Sequence, residues 1–444
     1  MKEKAGDSEL LRHLQRRSFD YFLNEVNPDN GLILDKTEED WPSSIAAVGM
    51  ALTVYPVGVA RHFIDRADAA RRALVVLRFF AASEQSPAED ATGYRGFYYH
   101  FLHMTSGRRA WRSELSSIDT AIFIAGALTA AQYFDGADAD ETEIRVLAKQ
   151  LYERIEWDWM LQGGRTLCHG WKPEPDAGFL AFRWEGYDEA LVLYLLALGS
   201  PTHPIPAECY AAWCSSYEWK TIYGIGHLYA GPLFVHQMSH IWVDFRGIRD
   251  EYMRSRDIDY FENSRRATAI QQQYAIRNPL GLPHVGALCW GVSASDGPGP
   301  ARKKIAGVDR EFYDYIARGA PFGPDDGTLA PWAVVASLPF VPEIVLPTIA
   351  NFRKLHVNVP NPYGFKASIN PLFNIQSQDD GVGWFSPYHF GINEGPTVLM
   401  IENYRSGLVW SLTQACGPLQ DGLRSAGFSG GWLDRLAARS TAGS

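Results

Sequence analysis

Cleaving a glycosidic bond requires two carboxyl groups in one cleft, an acid to protonate the leaving oxygen and a carboxylate to activate water or attack the anomeric carbon. Most of the 51 Asp and Glu residues lie in solvated, mixed-charge stretches, and only a few sit among apolar and aromatic residues. Asp119, in SELSSIDTAIFIAGAL, opens a segment that runs apolar for more than two turns. Ser116 and Ser117 can already cap that helix, which leaves Asp119 without an obvious structural duty. Glu114, just upstream, is an accessory acid that can equally pair with Arg108, Arg109 or Arg112. In FRWEGYDEALVLYLLALGSPTHP, Glu185, Asp188 and Glu189 lie among Phe182, Trp184 and Tyr187, directly before an apolar helix. Asp188 can cap that helix while Glu189 sits at its positive end, and that end lowers a carboxyl pKa. A Glu189 acting as acid therefore needs burial or a second carboxylate to raise it again. Asp119 and Glu189 are the first choices for the pair, their roles interchangeable at this stage.

A third group, Glu394 and Glu402 in HFGINEGPTVLMIENYRSGLVW, also borders an apolar helix. Arg405 on the same helix can engage Glu402; Glu394, at the loop–helix junction, is the site candidate. Other patterns carry less. His236 and His240 have helical spacing but no HExxH glutamate between them, so no metal is expected. GFSGG fits GxSxG without the preceding apolar strand that a nucleophile elbow needs, and Gly224 and Gly226 lack the third glycine of a dinucleotide fingerprint. No cofactor is expected.

Composition narrows the partner. The aromatic excess (14 Trp, 21 Tyr and 23 Phe) suits a cleft that stacks flat rings on sugar faces, though large cores also use aromatics. A net charge of −10 argues against nucleic acid, whose binding relies on clustered Lys and Arg. Five cysteines without a CxxC pair suggest free thiols. The opening MKEKAGDSELLRHLQRRSF has no apolar export core, so the chain as written reads as cytoplasmic, or as periplasmic if an export signal was removed. The longest apolar stretch, Ile118 to Tyr133, is a core helix, and no membrane association is expected. Oligomeric state is not legible.

The acids need positioning, and the elements that do it read as helices. Helix-compatible spacing covers Ser8–Val26, Ser43–Phe63, Ala67–Ser83, Ser116–Phe134, Glu141–Ile155, Glu189–Gly199 and Ala207–Ser215. Further on it covers His236–Phe245, Tyr260–Arg277, Trp332–Leu338, Pro342–Phe352 and Val398–Thr413. Short strands are expected at Phe179–Trp184 and Tyr229–Val235, and Asn278–Pro300 reads as the longest loop. About a dozen paired helices without βαβ alternation fit an (α/α)6 toroid or a solenoid. The absence of a repeat period favours the toroid. The fold class is all-α, a single domain over 1–444 with 1–15 as a frayed extension.

The blocks SELSSIDTAIFIAGAL, GYDEALVLYLLALGSPTHP, QMSHIWVDFRGIRD, DYFENSRRAT and NEGPTVLMIENYRSGLVW, in that order, resemble the bacterial "putative glucoamylase" family. That family is related to the endo-β-1,2-glucanases of glycoside hydrolase family 144 and to the transglycosylase domain of cyclic β-1,2-glucan synthases. The resemblance implies an (α/α)6 barrel and a hydrolase of β-linked, in particular β-1,2, glucan or gluco-oligosaccharide. Asp119 and Glu189 look like counterparts of acids in the glucanase blocks, although those blocks carry Glu at the first position and further aspartates ahead of it, where this chain has Arg112 and Ser116. A shorter Asp draws its carboxyl back, favouring the roughly 6.5–9.5 Å gap that admits water and hence inversion. Resemblance and chemistry together nominate Trp184, Tyr187, His240, Asp244, Trp384 and Glu394 as substrate contacts. Competing readings are a glucoamylase-type exo-α-glucosidase, a transglycosylase and a non-catalytic carbohydrate-binding toroid.

Overall fold

A computed structural model describes residues 5–305, 307–373 and 383–442. Its helices, in chain order, are α1 (Ala5–Asn24), α2 (Ile45–Ala60), α3 (Arg66–Ala82), α4 (Ser117–Tyr133), α5 (Ala139–Glu153), α6 (Leu191–Leu198), α7 (Glu208–Cys214), α8 (Glu251–Ser255), α9 (Tyr260–Arg277), α10 (Pro331–Ala336), α11 (Pro342–Leu355), α12 (Gly391–Arg405), α13 (Leu408–Gln414), α14 (Gly417–Ser425) and α15 (Gly431–Ala442). Among the described residues only short strands accompany them, as expected of a mainly helical chain. The chain groups into two compact units, interleaved in sequence. The larger comprises Phe22–Glu218, Ser239–Glu262 and Ser406–Ser444; the smaller comprises Met1–Tyr21, Trp219–Met238 and Asn263–Arg405.

In the larger unit the small-residue, apolar runs become helices buried all round. Every residue of α2 from Ile45 to Gly58 is buried, and nearly all of α4 is. The more amphipathic α3 and α5 bury one face each and pack on each other and on this pair, α3 against α2 and α5 against α4. Helix α2 crosses α4 where Gly49 meets Gly126: a Cβ on Gly49 would lie 2.5 Å from Ile122 O, and one on Gly126 would strike Gly49 O. Only hydrogen fits between these backbones. Gly126→Ala should therefore cost about 3 kcal/mol, the upper part of the usual overpacking range, read as a lowered midpoint in urea; an unshifted midpoint would mean that the helices separate freely.

Short strands tie the starts of these two helices together. Strands β1 (Ser43–Ser44), β2 (Gly93–Tyr94), β3 (Phe97–Tyr99), β4 (Phe101–Leu102), β5 (Leu115–Ser116), β6 (Gly170–Lys172) and β7 (Gly178–Phe179) all belong here. Five of them form an antiparallel sheet of order β2-β3-β5-β6-β7, with Tyr98 opposite Ser116 and Ser116 opposite Gly170. The pair β1–β4 places Ser44 opposite Phe101. Ser44 and Ser116 then cap α2 and α4, each side chain accepting a first-turn N–H.

The smaller unit contains most of α1 and α9, with α10 packed on α11 and α12. Its strands are the hairpins β8–β9 (Trp219–Ile222, Ile225–Leu228) and β11–β12 (Ala301–Ile305, Val308–Phe312), and the pairs β10–β13 (Ala294–Ser295, Ile316–Ala317) and β14–β15 (Ile369–Asn370, Trp384–Phe385). Gln15 donates to Val398 O at 3.1 Å and to Glu402 at 3.0 Å, and accepts from Arg405 at 3.3 Å, so Glu402 and Arg405 meet on a shared buried amide.

Several expectations need correcting. The segment taken as a frayed extension is helical from Ala5, with Leu10, Leu11, Leu14 and Gln15 buried. Where one helix was read over His236–Phe245 there are two 3-10 turns, Leu233–His236 and Ser239–Ile241. There Ser239 Oγ accepts from Val192 N at 3.0 Å and Asp244 accepts from Arg246 N at 3.1 Å, side-chain bonds that compete with helical ones. The run Val398–Thr413 breaks between α12 and α13 because Gly407 adopts φ 70°, a left-handed stop. Only Gly178–Phe179 of the Phe179–Trp184 region pairs as a named strand, and Tyr229–Val235 forms none.

Candidate active site

The turn from β5 into α4 sets Asp119. Ser116 Oγ accepts from Asp119 N at 3.1 Å and donates to Asp119 Oδ2, holding the carboxyl in the buried first turn. His100, between β3 and β4, spans two acids: its Nε2 lies 3.8 Å from Asp119 Oδ2 and its Nδ1 3.0 Å from Glu114 Oε1. The imidazole is also stacked on Phe101, with ring centroids 4.0 Å apart. Burial works against its charge, but the negative charge of Asp119, then the hydrogen bond to Glu114, carry its pKa up to about 9. His100 is thus a cation at neutral pH. Burial likewise opposes ionisation of Glu114, yet the His100 hydrogen bond holds it near 2. Glu114 is therefore the imidazolium's counter-ion; Arg109 and Arg112 instead pair with Glu174, at 2.9 and 3.0 Å.

A further acid faces this cluster from the loop before β1. Asp35 is buried and accepts from Trp41 Nε1 at 3.2 Å; burial raises its pKa, while Ser44, the His100 charge and Trp41 oppose the rise. Sequence reasoning missed both Asp35 and His100. The first stands in the turn-rich loop and the second in the aromatic run FYYHF, so neither has a local pattern that marks a site.

Glu189 lies two residues before α6, and its carbonyl accepts from Ser239 Oγ at 3.3 Å. Burial is the main force that lifts its carboxyl to about 7; its own backbone N–H opposes this and the Asp119 charge adds to it. Both means of offsetting the helix end are thus present. Asp188, expected to cap α6, does not: the N-cap is Ala190 and no side chain caps it, while Asp188 Oδ1 accepts from Ala190 N at 3.0 Å and Trp213 Nε1 at 3.1 Å, with burial, then Glu189, raising its pKa. Glu185 is exposed and accepts from Thr166 Oγ1 at 2.9 Å.

The nominated contacts separate into different settings. Trp184 is buried, donates to Ser117 Oγ at 2.9 Å and has the His169 ring stacked on it at 3.8 Å. Asp244 is committed to Arg246, at 2.7 and 2.8 Å, and to Gln414. His240 is buried against Phe245, and its carbonyl accepts from Trp410. Tyr187 is half-buried and stacked on Tyr260, with centroids 5.9 Å apart. Glu394 and Trp384 belong to the smaller unit. There buried Glu394 accepts from His389 Nδ1 at 2.9 Å, and burial raises its pKa against that bond. Trp384 packs beside Leu282, Phe312, Leu372 and Phe373.

Buried Asp119 and half-buried Glu189, the latter lifted to about 7 with the Asp119 charge adding to the rise, are the two carboxyls that this site brings into electrostatic contact. Residues 181–417 match the family described as "Putative glucoamylase", and the chain belongs to that family. A solved structure from Bacteroides uniformis, described as a putative glucoamylase, is 28% identical with a TM-score of 0.84 over 97% of this chain and 100% of its own. A β-1,2-glucanase from Parabacteroides distasonis is 26% identical with a TM-score of 0.82 over 96% of this chain. The curated exo β-1,2-glucooligosaccharide sophorohydrolase (non-reducing end) of the same organism is 28% identical over 94% of this chain. The chain spans 58% of that relative's length and 61% of the glucanase structure.

Proposed function

We propose that this protein is a glycoside hydrolase acting on β-1,2-linked gluco-oligosaccharides, built as a single (α/α)6 barrel, with Glu189 as general acid and Asp119 as general base. The carrying observation is Glu189 held at about 7 by burial with the Asp119 charge nearby, which leaves a proton available at neutral pH. Glu189 gives this proton to the glycosidic oxygen as the C–O bond breaks, while Asp119 takes a proton from the water whose oxygen bonds to the anomeric carbon. Exchange with solvent restores both groups. The His100 imidazole and the Ser116 hydroxyl hold the Asp119 carboxyl in place for this role. A one-step displacement by water inverts the anomeric centre, in keeping with the short side chain at 119. The substrate is supported by the sophorohydrolase and glucanase relatives, and the barrel by the TM-score of 0.84.

Product chromatography after incubation with β-1,2-glucan, sophoro-oligosaccharides, laminarin and soluble starch tests the reading. Release of β-1,2-linked products alone is expected; glucose from starch would replace it with an exo-α-glucosidase.

A further inference from the structure

The loop between β4 and β5 carries a feature that the two-acid chemistry leaves unused. Trp111 is 53% exposed, a costly setting for the largest apolar side chain. It and Arg112 also hold consecutive left-handed conformations, φ 54° and 53°, which non-glycine residues rarely adopt. The surrounding contacts enforce that geometry. Arg109 donates to Ser113 O at 2.6 Å across the loop, and Glu174 grips Arg109 and Arg112 on either side of Trp111. Behind the exposed indole stand Trp41, edge-on with centroids 4.6 Å apart, and Phe101 at 5.0 Å. Phe101 is in turn stacked on His100, which faces Asp119. Trp41 is fixed by its bond to Asp35 and by Lys36 Nζ, 4.0 Å from its ring centroid.

From this we infer that Trp111, backed by Trp41, is a stacking platform for a glucosyl unit of the substrate chain some way from the bond being cleaved. The inference rests on the hydrolase reading above for its substrate. An exposed indole held rigid by a two-sided salt bridge loses little freedom when a pyranose face settles on it, which makes such a contact worthwhile. A continuous row of rings from Trp111 to His100 places the platform on the path to Asp119. It sets preference for chain length and leaves the proton transfers untouched.

The test compares wild type, Trp111→Ala and Trp111→Phe on β-1,2-gluco-oligosaccharides of increasing length. Calorimetric binding of the long oligosaccharides to Glu189→Gln, with and without Trp111→Ala, runs in parallel. The ratio of kcat/KM for long over short chains should fall about tenfold in Trp111→Ala and recover in part in Trp111→Phe, with a matching loss of affinity in the binding arm. If wild type turns over these sugars and the ratio stays the same in Trp111→Ala, the platform is wrong and the hydrolase reading stands. If wild type turns nothing over but its Glu189→Gln form binds the oligosaccharide in a Trp111-dependent way, the platform stands and the hydrolase reading falls. Absence of both turnover and binding overturns both.

Discussion

Glu189→Gln should lower kcat on β-1,2-gluco-oligosaccharides by about three orders of magnitude, within the range of roughly 10²–10⁴ expected for loss of a general acid. The amide keeps the shape of the side chain and has no proton to give, so oligosaccharide binding should persist. Substrates whose leaving group needs no protonation, such as nitrophenyl glycosides, should lose much less. The wild-type rate should also fall as pH rises through about 7, where Glu189 gives up its proton, and this alkaline limb should vanish in the variant. Stability follows the same linkage. The folded pKa lies above the unfolded value near 4.5, so the native state binds the extra proton and this group's contribution declines as pH rises from about 4.5 to 7. Above pH 7 the variant should therefore melt at a higher temperature than wild type. An alkaline limb unchanged in Glu189→Gln would move the acid role elsewhere.

Asp119→Asn should cost activity on a similar scale, about 10²–10⁴-fold, by removing the group that accepts the proton from water. It carries a second signature that a merely disturbed fold would not produce. Because the Asp119 charge contributes to the elevation of Glu189, neutralising it should bring the Glu189 titration below about 7. In a carboxyl-labelled sample this is visible directly by NMR. With Asp119 neutral, His100 also loses the attraction that does most to lift it, so its titration should move down from about 9. Should both midpoints stay where they are, the two carboxyls do not sense each other and the pairing fails.

The helices were legible because their cause is local. Tyr260–Arg277 has the expected bounds, and the apolar runs behind Ser44 and Ser116 begin where a capping serine predicts. What escaped was decided by side chains from distant segments. Ser239 turns its hydroxyl to α6, and Asp244 turns to Arg246, where period alone continued a helix. Asp119 and Glu189 stood out because each acid interrupts apolar sequence beside a helix start. Asp35, His100 and Trp111 sit in ordinary loops, and the pairing of β1 with β4 and of β3 with β5 helps bring the first two to Asp119. Trp184 and Asp244 have partners that their own block of sequence does not display: His169 stacks on the indole and Arg246 meets the carboxylate.

The contact of Gly49 with Gly126 fixes more than the distance between two helices. A side-chain interface can breathe, because rotamers exchange and methyl groups slide past one another. Peptide against peptide has no such freedom, so the starts of α2 and α4, with the serines that orient Asp35 and Asp119, move as one stiff piece. A catalytic carboxyl must be held to within about half an ångström to be of use, and this contact steadies the frame that carries Asp119. Here bond lengths and peptide planarity act as the gauge.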